Sequence, residues 1–178
     1  MKHIKRETWM ILFLFVIIAV FSWAIYQKEK LKAEGVSILL ALAPADPRSI
    51  MQGDYMRLRY RVTNSVNETI RIQQPETVPA KIIIKLDEYK VAHFISFDQG
   101  KPLQTDEYHM NIKVKKNRAR IEPDSFMFQE GHAKYYQDAK YGMFKLAKSG
   151  QILLIGLADQ KHQIMIPSEK DLQTQESQ

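Results

Sequence analysis

From Tyr55 to Arg61 aromatic and basic side chains fall on every second residue: Tyr55, Arg57, Arg59 and Arg61 alternate with Met56, Leu58 and Tyr60. A guanidinium offers a planar fork of donors that matches carboxylate and phosphate oxygens, and it also stacks on phenol rings. On an extended chain alternate side chains share one face. The spacing therefore gathers Tyr55, Arg57, Arg59 and Arg61 into a candidate docking surface for a partner or an anionic group. The plainer reading is the solvated face of a strand. Other reactive residue types do not assemble. The chain has no cysteine, which excludes disulfides, thiolate zinc sites, iron–sulfur clusters and a cysteine nucleophile. Beyond the first residues the histidines are His93, His109, His132 and His162, and none stands three to five residues from another, so no helical metal pair exists. Glu130 and His132 supply one carboxylate and one imidazole, more simply read as capping a short helix that follows. No glycine-rich phosphate loop is present. Asn67-Glu68-Thr69 fits a glycosylation acceptor, a pattern that means little on its own. These residues predict a non-catalytic protein with no cofactor and no metal.

The elements that position these residues begin with an apolar segment. Residues 9–26 read WMILFLFVIIAVFSWAIY and contain no charge. At ~1.5 Å per residue such a helix spans roughly 27 Å, against a bilayer core about 30 Å thick. A helix satisfies its own backbone groups, as lipid requires, and Trp9, Trp23 and Tyr26 stand near its ends, where amphipathic rings prefer the interface. A cleaved signal peptide would have a shorter apolar stretch and a small-residue site directly after it. Here Lys28 and Lys30 follow, and Ala41-Leu42-Ala43 lies too far on, with Pro44 behind it. A core helix so uniformly apolar is foreign to a domain of this size. Residues 9–26 are thus predicted to be a transmembrane anchor in contact with membrane lipid, after a short tail over residues 1–8. Lys2, Lys5 and Arg6 before it nearly balance Lys28, Lys30 and Lys32 after it, but the short tail favours an N-inside signal anchor. This predicts a single-pass membrane protein with its soluble domain on the far side; in a bacterium that is the cytoplasmic membrane, with the domain in the periplasm or outside the cell.

The remainder is globular in composition, with 45% hydrophobic and 26% charged residues. The formal charge of +6 is spread thinly. It suits solubility and a weak attraction to anionic lipid headgroups, and lacks the dense basic face with interleaved aromatics that nucleic acid requires.

Residues 27–35 read as a linker or a continuation of the helix, broken at Gly35. Period-two patterning then dominates through residues 36–166. Val36, Ile38, Leu40 and Leu42 share a face of a first strand. A second strand is predicted over 55–62, with Met56, Leu58, Tyr60 and Val62 inward. Residues 63–76 read as a polar loop or a single helical turn. Hairpins are predicted for 81–86 with 91–97, for 110–115 with 118–121 around Lys116-Asn117, and for 141–147 with 152–158. The last of these strands is apolar on both faces, which predicts a central place in a sheet. A short helix is expected within 131–139 and one more strand at 162–166, and the polar tail 167–178 is expected to be disordered. The fold class is all-β or β-dominated α+β, an antiparallel sheet domain behind one N-terminal transmembrane helix.

One segment carries a signature. Residues 53–60 read GDYMRLRY and fit G-D-Y-x-x-L-x-Y at Gly53, Asp54, Tyr55, Leu58 and Tyr60. This resembles the GDYXXLXY family of bacterial membrane-anchored proteins, as do Asp46-Pro47-Arg48 upstream and the later stretch from Gln129-Glu130-Gly131-His132 to Tyr141-Gly142. The resemblance implies a single anchor and a multi-spanning membrane protein as partner, and it implies no reaction. Physically, Gly53 suits a tight turn, Asp54 can cap it by accepting backbone N–H groups, and Tyr55 and Tyr60 fall on opposite faces of the strand. Tyr60 is expected in the core with its hydroxyl bonded. The alternative is a membrane-anchored hydrolase, since residues 50–56 are similar to a turn of signal-peptidase-like serine proteases. There the nucleophile lies eight residues before the glycine, a position held here by Ala45. Ser49 is on the wrong part of the turn, and without the hydroxyl no Ser–Lys dyad forms.

Overall fold

A computed structural model describes residues 6–44, 51–52, 55–129 and 132–166. Asp46, Arg48, Gly53, Asp54 and the tail 167–178, all singled out above, lie outside the described residues.

Helix α1 runs unbroken over Arg6–Glu34, ~43 Å at 1.5 Å per residue. Residues 27–34 are therefore helix and no loose linker: Gln, Lys, Glu, Leu and Ala are all strong helix formers. Its Trp9–Glu34 portion is long and apolar enough to cross a membrane, and no part of its apolar stretch is buried by the rest of the chain. The helix stops where Gly35 N–H donates to the Leu31 carbonyl at 2.9 Å. A Cβ at Gly35 would stand 2.5 Å from that oxygen and 3.0 Å from Lys145 Cβ. Leu31 is buried, and Lys145 Nζ donates to the Gly35 carbonyl at 3.2 Å. The end of α1 is thereby pinned to the domain.

The domain is built of small antiparallel sheets, in line with the β-dominated expectation. Strand β1 (Val36–Ala41) pairs with β10 (Tyr141–Leu146), which pairs with β11 (Ile152–Ala158). The short strands β2 (Met51–Gln52), β3 (Tyr55–Arg57) and β9 (Ser125–Met127) form a second sheet in that order. In the third, β4 (Lys81–Leu86) lies between β5 (Ala92–Phe97) and β6 (Glu107–Asn111). β7 (Lys113–Lys115) and β8 (Arg118–Arg120) make a hairpin. Its turn residues, Lys116 and Asn117, have φ of 50° and 58°, the left-handed pair of a type I′ connection. The core gathers Ile38, Leu40, Ile82, Ile84, Met110, Phe144, Leu146 and Leu157 from the sheets of β1 and β4, Val66 from a helix, and Tyr60 from just ahead of that helix.

Three expectations are corrected. The strand predicted over 55–62 ends at Arg57. Leu58 and Arg59 remain outside the ladder, Tyr60 makes a single bridge to Leu42, and helix α2 (Arg61–Gln73) begins. Thus 63–76 is a helix through Gln73. Val62, Val66 and Ile70 recur every fourth residue and are its buried stripe, a pattern diluted in the sequence by the polar residues between them. Gln74 closes the helix in the left-handed conformation at φ 44°, its N–H donating to Ile70 O at 2.9 Å, and Pro75 follows. The Asn67 side chain ties α2 to β8: its amide donates to Ala119 O at 3.1 Å and its carbonyl accepts Ala119 N–H at 2.8 Å. Secondly, β11 is an edge strand, and the centre of its sheet is β10. Both faces of β11 are apolar because α1 runs beside it and the following segment folds back on it. Thirdly, that segment is no full strand. It makes one bridge, Ile164 to Ala158, with Met165 N–H donating to Leu157 O at 2.8 Å. The short helix predicted within 131–139 is α3 (Ala133–Tyr136).

Candidate functional site

The motif strand has an inward and an outward side. Met56, Leu58 and Tyr60 are buried, held in line because the Leu58 N–H donates to Asp124 O at 2.8 Å. The Tyr60 hydroxyl donates to Pro123 O at 2.8 Å, and its ring meets Phe144 edge-on at 5.6 Å. Burial, then the nearby Asp124 carboxylate, pushes ionisation of this phenol well above its ordinary range. Gly142 faces the same ring: a Cβ there would lie 3.2 Å from Tyr60 Cε1 and 3.0 Å from Phe144 Cε2. The glycine thus makes room for the motif tyrosine. Its neighbour Tyr141 turns the other way and packs against the His162 ring at 4.8 Å.

The outward side opens into a cleft of about 530 Å³ lined by Tyr55, Arg57, Leu58, Arg59, Tyr60, Thr63, Asn64, Arg120, Ile121, Asp124 and Ser125. Strand pairing of Arg57 with Ser125 brings the end of the 118–125 segment alongside the motif. Three candidate docking residues, Tyr55, Arg57 and Arg59, therefore do share a surface. Arg61 does not line it, because the period-two geometry ends at Tyr60, whose extended φ, ψ of −106°, 137° precedes the first turn of α2. Arg120, which the sequence reading missed, takes its place. It alternates with buried Ala119, which marks it as outward, but only the fold sets it beside Arg57.

The ion pairs among the described residues are Glu68–Arg71, Asp87–His93, Asp98–His109 and Glu122–Lys113. None includes Arg57, Arg59 or Arg120, and Asp124 is the one carboxylate lining the cleft among these residues. No side chain caps α2 at Tyr60, and no acid stands in its first turn. Thr63 Oγ1, in the cleft wall, is shielded and lacks a hydrogen-bond partner. Such a site can hold an anion by charge and hydrogen bonding. No group of three histidine or carboxylate side chains suited to a metal occurs among the described residues.

Asp124 also lines a second concavity, with Pro123, Glu122, Lys113, the start of β11 and Lys28 of α1, so this one residue borders both the arginine cleft and a hollow reached by α1.

No curated protein and no solved structure matches the chain. A family model described as GDYXXLXY protein matches residues 17–157, from within α1 nearly to the end of β11. The match takes in most of the chain, including both tyrosines of the motif strand, the cleft arginines and Gly142, and the chain belongs to the GDYXXLXY family.

Proposed function

We propose that this protein is a membrane-tethered, non-catalytic interaction domain that binds a multi-spanning membrane protein. The observation that carries the reading is α1: its apolar stretch has no cover from the chain itself, so lipid is the environment that suits it. Lys2, Lys5 and Arg6 directly ahead of the apolar stretch favour an N-terminus inside the cytoplasmic membrane of a bacterium, with the domain in the periplasm. The docking face is the one bearing Tyr55, Arg57 and Arg59, whose arginines pair with no acid among the described residues. Its closeness to Lys28 through the 122–124 segment favours a partner that presents its loops at the bilayer surface.

Crosslinking in native membranes followed by mass spectrometry tests this. The wild-type chain is expected to capture a multi-spanning membrane protein, and the Arg57→Ser/Arg59→Ser double variant to lose it while remaining folded. Equal recovery with both refutes the docking face. Because the chain lacks cysteine, Ser149→Cys gives a single thiol at an exposed turn. An impermeant maleimide added to cells with a permeabilised outer membrane should label it, and protection of that thiol refutes the orientation.

A further inference from the structure

We propose that the arginine cleft binds a phosphate group, supplied by the headgroup of an acidic phospholipid in the membrane that holds α1. This deepens the tether reading above and rests on it. The charge in the cleft is lopsided: Arg57, Arg59 and Arg120 face it against Asp124 alone among the described residues. These guanidinium groups are exposed and without ion pairs there, so they are available to an incoming oxyanion, and their forked donors match its oxygens. Two neutral features agree with the charge. The first turn of α2 borders the cleft through Tyr60, Thr63 and Asn64 with no capping side chain; the N–H groups of Thr63 and Asn64 are taken by the Tyr60 carbonyl, and the turn contributes the positive end of the helix dipole. The Thr63 hydroxyl in the same wall has no partner.

Location selects the source. The apolar stretch ends at Tyr26, and Lys28 stands one turn or less beyond it, about 3 Å further along the helix axis. Bilayer headgroups occupy roughly 5–7 Å on each side of the hydrocarbon. Lys28 therefore lies among them, and Lys28 lines one concavity with Asp124, which also lines the arginine cleft. The end of α1 is fixed to β10 through Gly35, Leu31 and Lys145, so the domain is held with this side toward the headgroup layer. Carboxylates would satisfy the same arginines, but the anion abundant at that depth is phosphate.

The experiment uses the full chain in nanodiscs of three kinds: phosphatidylcholine, phosphatidylcholine doped with phosphatidylglycerol, and phosphatidylcholine with millimolar inorganic phosphate at matched ionic strength. Hydrogen exchange of the segments 57–64 and 118–125 is the readout. Phosphatidylglycerol is expected to slow exchange there and inorganic phosphate to do so more weakly. Protection by inorganic phosphate alone keeps the phosphate site and moves its source to solution. Each Arg→Gln change at 57, 59 or 120 should weaken protection about tenfold or more, the scale of one charged hydrogen bond. Asp124→Asn, which removes the opposing charge, should strengthen it. The proposal is overturned by exchange that is the same in all three discs, or by protection that survives Arg57→Gln/Arg59→Gln/Arg120→Gln, which would be a general surface-charge effect. Failure of the chain to enter phosphatidylcholine discs would instead sink the tether reading, a distinct result.

Discussion

Replacing Tyr60 by Phe removes one oxygen and leaves the ring, which makes the change a sharp probe of the motif. Tyr60 is 2% exposed, and its hydroxyl donates to Pro123 O at 2.8 Å. Loss of a hydrogen bond of this kind costs about 0.5–1.5 kcal/mol, which for a domain of this size lowers Tm by roughly 2–8 °C. The pH dependence gives the argument its force. Burial, and secondarily Asp124, raises the folded phenol's pKa, so the neutral form is the one the fold stabilises. That contribution is fully present below the unfolded phenol's pKa of ~10 and is lost as pH rises above it toward the higher folded value. Ionisation of the unfolded chain withdraws about 1.4 kcal/mol for the first unit above pH ~10. Wild type should therefore be more stable than Tyr60→Phe at pH 8, and the two should become equal near pH ~11. The remaining tyrosines are common to both chains and cancel in the difference. Denaturant unfolding of the full chain in micelles, followed by near-ultraviolet circular dichroism, measures this. A stability difference that stays constant from pH 8 to pH ~11 would refute a neutral phenol locked in the core.

Three further outcomes follow from the same geometry. Gly142→Ala puts a methyl 3.0 Å from Phe144 Cε2 and 3.2 Å from Tyr60 Cε1, and should cost about 1–3 kcal/mol by overpacking; calorimetry of Gly142→Ala in the Tyr60→Leu background should show part of that loss recovered. Asn67→Ala leaves both the N–H and the carbonyl of Ala119 without their side-chain partner, worth about 1–3 kcal/mol, and should accelerate hydrogen exchange at Ala119 before any global change. At Asp87 burial opposes ionisation, but the bond to His93 and the N–H groups of Val91 and Tyr89 outweigh it and hold the carboxyl below its ordinary range. Its contribution is present above the ordinary carboxylate pKa of ~3.9 and fades as pH falls through the lower folded value, so Asp87→Ala should flatten the acid limb of a pH–stability profile.

Local pattern made much of this fold legible. Uniform apolarity over residues 9–26 marks a helix on its own, because no other element is needed to explain it. Hairpins at Lys81–Leu86, Lys113–Lys115 and Tyr141–Leu146 were legible because alternation and turn residues such as Asp87 and Lys116-Asn117 act over a few positions. The motif's inward residues, Leu58 and Tyr60, were legible for the same reason. Helix α2 was hidden because only Val62, Val66 and Ile70 carry its buried face, and three apolar residues among asparagines and threonines do not outweigh the strand pattern that precedes them. The edge position of β11 depends on α1 and on Ile164, which are remote in sequence or weak in pattern. Arg120 enters the cleft through the pairing of β3 with β9, a register that no local spacing encodes.

The motif acts on one loop from both of its sides. Tyr60 holds Pro123 by its hydroxyl, Leu58 holds Asp124 by its N–H, and Arg57 pairs with Ser125 through the ladder. Every second residue of the strand is thus spent on the core, and the backbone between them fixes the 123–125 segment. Within that segment Pro123 lines the concavity reached by Lys28, Ser125 lines the arginine cleft, and Asp124 lines both. The same residues that close the core therefore set the distance between the arginines and the base of α1. A motif of this kind does not need a nucleophile or a metal to constrain its residue types. Leu58 and Tyr60 must keep the 123–125 segment in place for Tyr55, Arg57 and Arg59 to present a fixed surface, and loosening Tyr60 should disorder the cleft before it unfolds the sheets around β4 and β10.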